Sequence, residues 1–231
     1  MKKSSLLLIL ATLAVLSGGT YAYFSDVEKS NATVQAGVLD IVLTDGIASS
    51  NSAWEIYNWL PGYPGEIGEL RVWNVGNVKG SSLNFDFTMN ELEDNDGNVT
   101  NGLVNGPESD TAPTTAAGMS KYLCVQSLSL TWFVNDVQQL QQNLVYNGNV
   151  TATGASYGLS DLNGNGYFDL DDLKNCGIHN VNPPALDPNH AYYSPPDSYL
   201  QMNMNVEFHT SAGNDYQGDI TIMNVTVTVN Q

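Results

Sequence analysis

The chain has 231 residues, of which 42% are hydrophobic, enough for one domain with a sizeable core. It carries 7 Lys and Arg against 24 Asp and Glu, a formal net charge of −17. Because phosphate binding needs a basic surface, this charge argues against a nucleic-acid partner and against an anionic membrane surface.

Residues 1–22 have the pattern of a secretory signal peptide. Met1-Lys2-Lys3 is basic, residues 6–16 are Leu, Ile, Ala, Val and Thr alone, and small residues lead to Ala22. The apolar run is shorter than the about 20 residues that span a bilayer, so we expect cleavage after Ala22 rather than a retained anchor. The mature protein is therefore expected outside the cell, with no stable membrane anchor.

Two further stretches carry a family resemblance. The first consists of two motifs in succession, Gly19-Thr20-Tyr21-Ala22-Tyr23-Phe24-Ser25-Asp26 and Ala36-Gly37-Val38-Leu39-Asp40-Ile41. The second consists of Leu60-Pro61-Gly62-Tyr63 followed by Asn74-Val75-Gly76-Asn77. Both resemble the TasA/camelysin family of secreted biofilm-fibre proteins, with archaeal bundling-pilus and cannula-type subunits on the same plan. The resemblance implies a secreted jelly-roll domain that polymerises into fibres by donor-strand exchange.

Residues 23–36 are expected to form an extended N-terminal donor-strand arm. Its apolar anchors are Tyr23, Phe24, Val27 and Val34, interleaved with polar residues. An uncovered β-edge is a liability, and a neighbour's strand could cover it with main-chain hydrogen bonds. The alternative is that the arm folds back as the first strand of its own sandwich.

Residues 37–231 read as one β-domain. Segments 38–44, 54–59, 67–75, 84–89, 123–134, 200–208 and 220–229 have strand-like composition, and several alternate apolar and polar residues. A short helix is expected from about Leu170 to Cys176. The fold class that follows is all-β, a jelly-roll-like β-sandwich with one inserted calcium loop and a short helix.

The calcium loop is predicted at residues 161–172. Oxygen-bearing side chains fall at positions 1, 3, 5, 9 and 12 of a 12-residue calcium loop, Gly166 stands at position 6 where the chain must turn, and position 7 offers a backbone carbonyl. The predicted Ca²⁺ ligands are Asp161, Asn163, Asn165, Tyr167, Asp169 and Asp172. The loop resembles a dockerin loop, but a dockerin has two, so a single structural site is expected. The alternative is a polar turn that binds nothing.

The two cysteines, Cys124 and Cys176, are expected to form a disulfide, because a lone pair outside the cell usually does. The alternative is two unrelated thiols. Four sequons mark glycosylation candidates, although chance is the alternative in an Asn- and Thr-rich chain: Asn31, Asn98, Asn149 and Asn224.

An enzyme is not expected. The three histidines, His179, His190 and His209, lack zinc-protease spacing, and no nucleophile elbow is present. The predicted function is a structural subunit of an extracellular filament, built from copies of itself head to tail by donor-strand exchange and stabilised by calcium. The alternative is a monomeric secreted calcium-binding adhesin or glycan-binding β-sandwich.

Overall fold

A computed structural model describes residues 26–28, 41–44, 54–56, 66–76, 78–92, 118–187, 197–212, 216 and 220–230. This part of the chain contains eleven strands and two short α-helices. The strands are β1 (Asp26–Glu28), β2 (Ile41–Thr44), β3 (Trp54–Ile56), β4 (Glu66–Asn74), β5 (Ser82–Leu92), β6 (Leu123–Val134), β7 (Val137–Tyr146), β8 (Asn149–Val150), β9 (Ile178–Val181), β10 (Tyr199–Phe208) and β11 (Ile220–Asn230). The helices are α1 (Ala152–Ser156) and α2 (Leu170–Cys176).

The strands form two antiparallel sheets. The first has the order β1-β11-β5-β9, with β3 also paired to β11. The second has the order β2-β4-β10-β6-β7-β8. Buried side chains from both sheets make one hydrophobic cluster, which confirms the all-β sandwich predicted from the sequence.

Alternation along the strands explains which face is buried. On β10, every second side chain from Leu200 to Phe208 is buried and those between are half-buried. Leu83 and Phe85 on β5 are buried on the same principle, and their partners Val229 and Val227 on β11 are fully buried opposite them. This period of two puts the apolar set of each strand into the space between the sheets.

Four elements of the described chain were not predicted from the sequence: β7, the two-residue β8, β9 and α1. The first five residues of β7 are exposed, so the strand lacks the alternation that marks a half-buried strand. β9 has four residues and α1 has five, lengths at which periodicity carries little information. The expectation that α2 is the only helix of the domain is therefore corrected by α1.

The N-terminal arm touches its own domain. β1 pairs antiparallel with β11, with Asp26 opposite Val229 and Glu28 opposite Val227. Within this single chain the three described residues of the arm therefore follow the fold-back alternative, not the expected arm outside its own sandwich. The physical reason is that the edge of β11 offers unpaired backbone groups that the arm's own backbone can satisfy.

Several predicted features lie outside the described residues. They are the signal peptide over residues 1–22, the arm anchors Tyr23, Phe24 and Val34, the sequons at Asn31 and Asn98, and His190. Of Val27 the backbone alone is described. None of the helices in the described part of the chain is long and apolar enough to cross a membrane.

Candidate metal centre

The loop at residues 161–172 follows α1, runs into the first turn of α2 and is tied to the second sheet. The Phe168 N–H donates to the Gly148 carbonyl at 2.7 Å, and the Val125 N–H donates to the Phe168 carbonyl at 2.9 Å. Asp169 forms an isolated β-bridge with Cys124 on β6. Phe168 is itself buried in the core, so the end of the loop has a fixed position on β6 and on the β7–β8 turn.

The first half of the loop wraps around the Asp161 carboxylate. Gly164 N–H donates to Asp161 Oδ1 at 2.7 Å, and Gly166 N–H donates to Oδ2 at 3.0 Å. Both glycines have positive φ, 71° and 95°, which side chains with a Cβ rarely adopt. The sharp turn predicted at Gly166 is therefore present.

The two asparagines point their amide groups inward. Asn163 Oδ1 accepts from the Asn165 N–H at 3.0 Å, and Asn165 Oδ1 accepts from the Tyr167 N–H at 3.1 Å. Their Nδ2 groups both donate to Asp169 Oδ2, at 2.8 and 2.7 Å. Each amide oxygen keeps a second lone pair, so the backbone contacts do not exhaust its capacity to bind a cation.

Asp169 and Asp172 start helix α2 as a capping box. Asp172 N–H donates to Asp169 Oδ1 at 2.9 Å, and Asp169 N–H donates to Asp172 Oδ2 at 3.2 Å. Asp172 Oδ1 also accepts from the Leu162 N–H at 2.8 Å, which closes the loop onto its own first turn. Both carboxylates are fully buried.

Burial makes these carboxylates costly to ionise. It raises the pKa of Asp169 to about 6, although hydrogen bonds from Asn163 and Asn165 favour the charged form. Burial also raises the pKa of Asp172. No Lys or Arg of the described residues pairs with either group, since the two ion pairs found there are Arg71–Glu69 and Lys174–Asp171. A bound cation would supply the missing compensation.

The donor set fits Ca²⁺, which prefers carboxylate, amide and backbone oxygens. Within the described ranges, no three His, Cys, Asp or Glu side chains converge closely enough to hold a metal ion by themselves. An ion here would thus depend on the amide oxygens of Asn163 and Asn165 and on the Tyr167 carbonyl, in addition to the carboxylates. The loop brings all six predicted ligand residues into one connected hydrogen-bonded segment.

Sequence reasoning missed the supports of the loop. Gly148 accepts from Phe168, and the Lys121 carbonyl accepts from the Tyr167 hydroxyl at 3.0 Å. The Tyr167 ring also stacks on His209, with ring centroids 4.4 Å apart. Asn147-Gly148 is the strongest short-range hairpin signal and could have placed the β7–β8 turn, whereas nothing local marks the Lys121 carbonyl.

The structure does not contain the predicted disulfide: Cys124 and Cys176 are both free thiols. Cys124 is bridged to Asp169 at the start of α2, while Cys176 ends the helix, roughly 10 Å further along its axis. The Cys176 thiol donates to the Ser160 carbonyl at 3.4 Å instead. Burial, with the charges of Glu207 and Asp169, raises the pKa of the Cys124 thiol to about 12.

The other candidate residues lie apart from the loop or at its margin. Asn149 and Asn224 are exposed, so both described sequons are accessible. His179 Nε2 contacts the Cys176 carbonyl at 2.8 Å, and His209 Nδ1 contacts Ser211 Oγ at 2.7 Å. The described histidines thus hydrogen-bond to neighbours in their own segments, His209 also stacks on Tyr167, and the expectation that the chain is not an enzyme stays a prediction.

Comparison with known proteins finds one family. The family model described as camelysin metallo-endopeptidase matches residues 2–63. The resemblance to the TasA/camelysin family is thereby confirmed over this N-terminal part of the chain, whereas the likeness to archaeal pilus and cannula subunits stays a prediction. No curated protein matches the chain.

Proposed function

We propose that this chain is a structural subunit of an extracellular filament, assembled head to tail by strand exchange and stabilised by calcium. The observation that carries the proposal is the pairing of β1 with β11. The camelysin match over residues 2–63 covers the segment that contains β1 and supports the same reading.

The β1–β11 contact is suited to exchange between molecules. Of the described arm residues, Asp26, Val27 and Glu28 pair with β11, and backbone pairing of this kind can equally form between two molecules. Val227 and Val229, on the β11 segment that β1 covers, are fully buried, so this edge belongs to the core and needs a partner. A neighbour's β1 can satisfy the same edge, and because donor and acceptor are different surfaces, the contact can repeat without closing.

Calcium would act through the loop at residues 161–172. The loop connects the β7–β8 turn and β6 to α2, whose Leu170 and Leu173 are fully buried. An ion that binds only the folded loop stabilises the fold in proportion to the logarithm of its concentration over its Kd. It would also reduce the repulsion expected between subunits of a chain with net charge −17.

A peptidase is the second candidate, because the matching family is described as a metallo-endopeptidase. The described part of the chain offers His179 on β9 and His209 directly after β10, and each contacts a neighbour in its own segment. We propose that the chain has no peptidase activity of its own, and that the calcium loop is structural.

Negative-stain microscopy of the mature chain, with and without calcium, tests the filament. Deletion of residues 23–30 should leave a folded monomer that forms no filament. The matched control replaces the same residues with a Gly/Ser segment of equal length, which should also fail, and circular dichroism checks that both variants keep their β-structure. Filaments of normal width from either variant would contradict strand exchange. A wild-type chain that stays monomeric in calcium would favour the adhesin alternative.

A further inference from the structure

The outer edge of β7 is largely uncovered. On one side β7 pairs with β6 along nearly its whole length. On the other side its pairing within the described residues is with β8, at Val145 and Tyr146. Thr151 covers the next residues, because its N–H and hydroxyl both donate to the Leu144 carbonyl and the hydroxyl also reaches the Asn143 carbonyl. In the part of the chain that the structure describes, the backbone from Val137 to Gln142, named here the free edge, has no such cover, although the Gln142 side chain accepts from the Tyr157 hydroxyl at 2.6 Å.

The free edge is apolar and amide-rich at the surface. The exposed fraction of Val137 is 60% and that of Leu140 is 46%, and the residues between them are exposed glutamines. Exposed edge strands are normally protected by Lys, Pro or inward-pointing charge, and β7 contains no charged residue and no proline. In a chain of net charge −17, a ten-residue strand without charge is where two copies meet with least repulsion.

We propose that the free edge pairs antiparallel with the free edge of a second copy about a two-fold axis, which joins the second sheets of two molecules into one continuous sheet. This surface is separate from the β1–β11 contact and does not require the filament. The charge argument selects the occupant: the same neutral strand on another copy is complementary to itself, whereas a basic partner would find no acidic side chain on β7.

The pairing is expected to be short and reversible. The β6–β7 ladder shifts register near Gln139, and such bulges twist an edge and limit pairing. Six residues a side also bury far less than the roughly 1,600 Å² of a standard stable interface. Where subunits already stand in a filament, many such contacts act together, so the edge would join filaments side by side.

Cross-linking of the full mature chain tests the pairing. The background is Cys176→Ser, which removes the half-buried thiol and leaves the buried Cys124. Leu140→Cys should give covalent dimers with a short bifunctional maleimide. Pairing about a two-fold axis at Leu140 puts the two introduced thiols directly opposite each other on one face of the sheet, while Tyr146→Cys puts its pair roughly 40 Å apart. Tyr146 is the matched control, since it is exposed on the same strand but already covered at the edge by β8.

The expected result is about tenfold more dimer from Leu140→Cys than from Tyr146→Cys, because thiols held side by side react at a high effective concentration. Replacing Leu140 by Glu instead of Cys (Leu140→Glu) should abolish the association of two copies through the free edge, while Tyr146→Glu should not. Equal cross-linking at the two positions, or association unchanged by Leu140→Glu, would overturn the proposal. Neither result depends on whether single filaments form, so it is separable from the test of the proposed function.

Discussion

Asp172 serves both ends of the loop: it accepts from the Leu162 N–H and caps α2 through Asp169. We expect Asp172→Asn to lose the calcium-dependent part of stability, because a carboxylate at position 12 contributes charge to the ion. At calcium about 100-fold above Kd, the wild type should gain about 2.7 kcal/mol over the calcium-free protein. Thermal melts with calcium and with chelator measure the difference.

The control for this change is Asp171→Asn, which removes the same charge one residue away. Asp171 pairs with Lys174 at 3.0 Å. This variant should keep the calcium-dependent rise in melting temperature. A full calcium response in Asp172→Asn would show that the ion does not bind at this loop.

Asp169 predicts a pH dependence for the calcium-free protein. Burial raises its folded pKa to about 6, above the 3.8 of an ordinary Asp, so between these values the folded state binds a proton that the unfolded chain does not. Stability should therefore rise as pH falls from about 7 to about 5, the reverse of a salt-bridged carboxylate. Asp169→Asn should flatten this part of the profile, measured by urea unfolding after calcium removal. If Asp169→Asn keeps the same slope of stability against pH, a group other than Asp169 takes up the proton.

The oxygen spacing and the turn of the loop could be read from the sequence, but its electrostatics could not. The oxygen spacing around Gly166 is a local property, and the structure places those residues in one segment. The burial of Asp169 depends on β6, whose Cys124 is bridged to it from a distant part of the chain. For the same reason, the two cysteines in the sequence could not reveal that helix α2 separates them.

At the scale of elements, α1 is held against β7 by close backbone contact. A Cβ added at Gly154 would lie 2.1 Å from the Leu144 carbonyl oxygen, so the helix would have to move. Gly154→Ala should thus destabilise by about 1–3 kcal/mol, as overpacking does. In a free helix, Gly→Ala would instead stabilise by about 0.5–1 kcal/mol. A loss of stability in Gly154→Ala would therefore itself show that the helix packs closely on β7. Urea unfolding measures it, with exposed Ser156→Ala, in the same helix, as the control expected to change little.

Elements with one buried face were predictable. The alternating pattern of β10 and β11 and the helix at Leu170–Cys176 match the structure within about one residue. β7 was not, because its first half is exposed on both faces and carries no pattern. The turns around it were the usable signal: Asn135 and Asp136 both have positive φ, as do Asn147 and Gly148, in two-residue hairpin loops.

At the scale of the whole molecule, composition and alternation together determine a sandwich, while the pairing of distant segments has no local signature. β1 next to β11 and β2 next to β4 are contacts of this kind. Sequence alone left open whether the arm joins its own sandwich, because an edge accepts any strand of suitable backbone. Both the closed single chain and the proposed filament use the same edge, so they differ in which molecule supplies the strand.

The pairing of β1 with β11 also determines how late in the synthesis of the chain β1 can find its partner strand. The strand made first has its partner near the end of the chain, so the closing contact spans almost the whole sequence and carries the largest loop-closure cost. During synthesis, β1 must wait until every other strand has been made. Throughout that interval, a finished neighbour already displays a complete β11. In the proposed filament, a new subunit would therefore meet an existing end before it could close upon itself, which would favour growth of the filament over the accumulation of closed monomers.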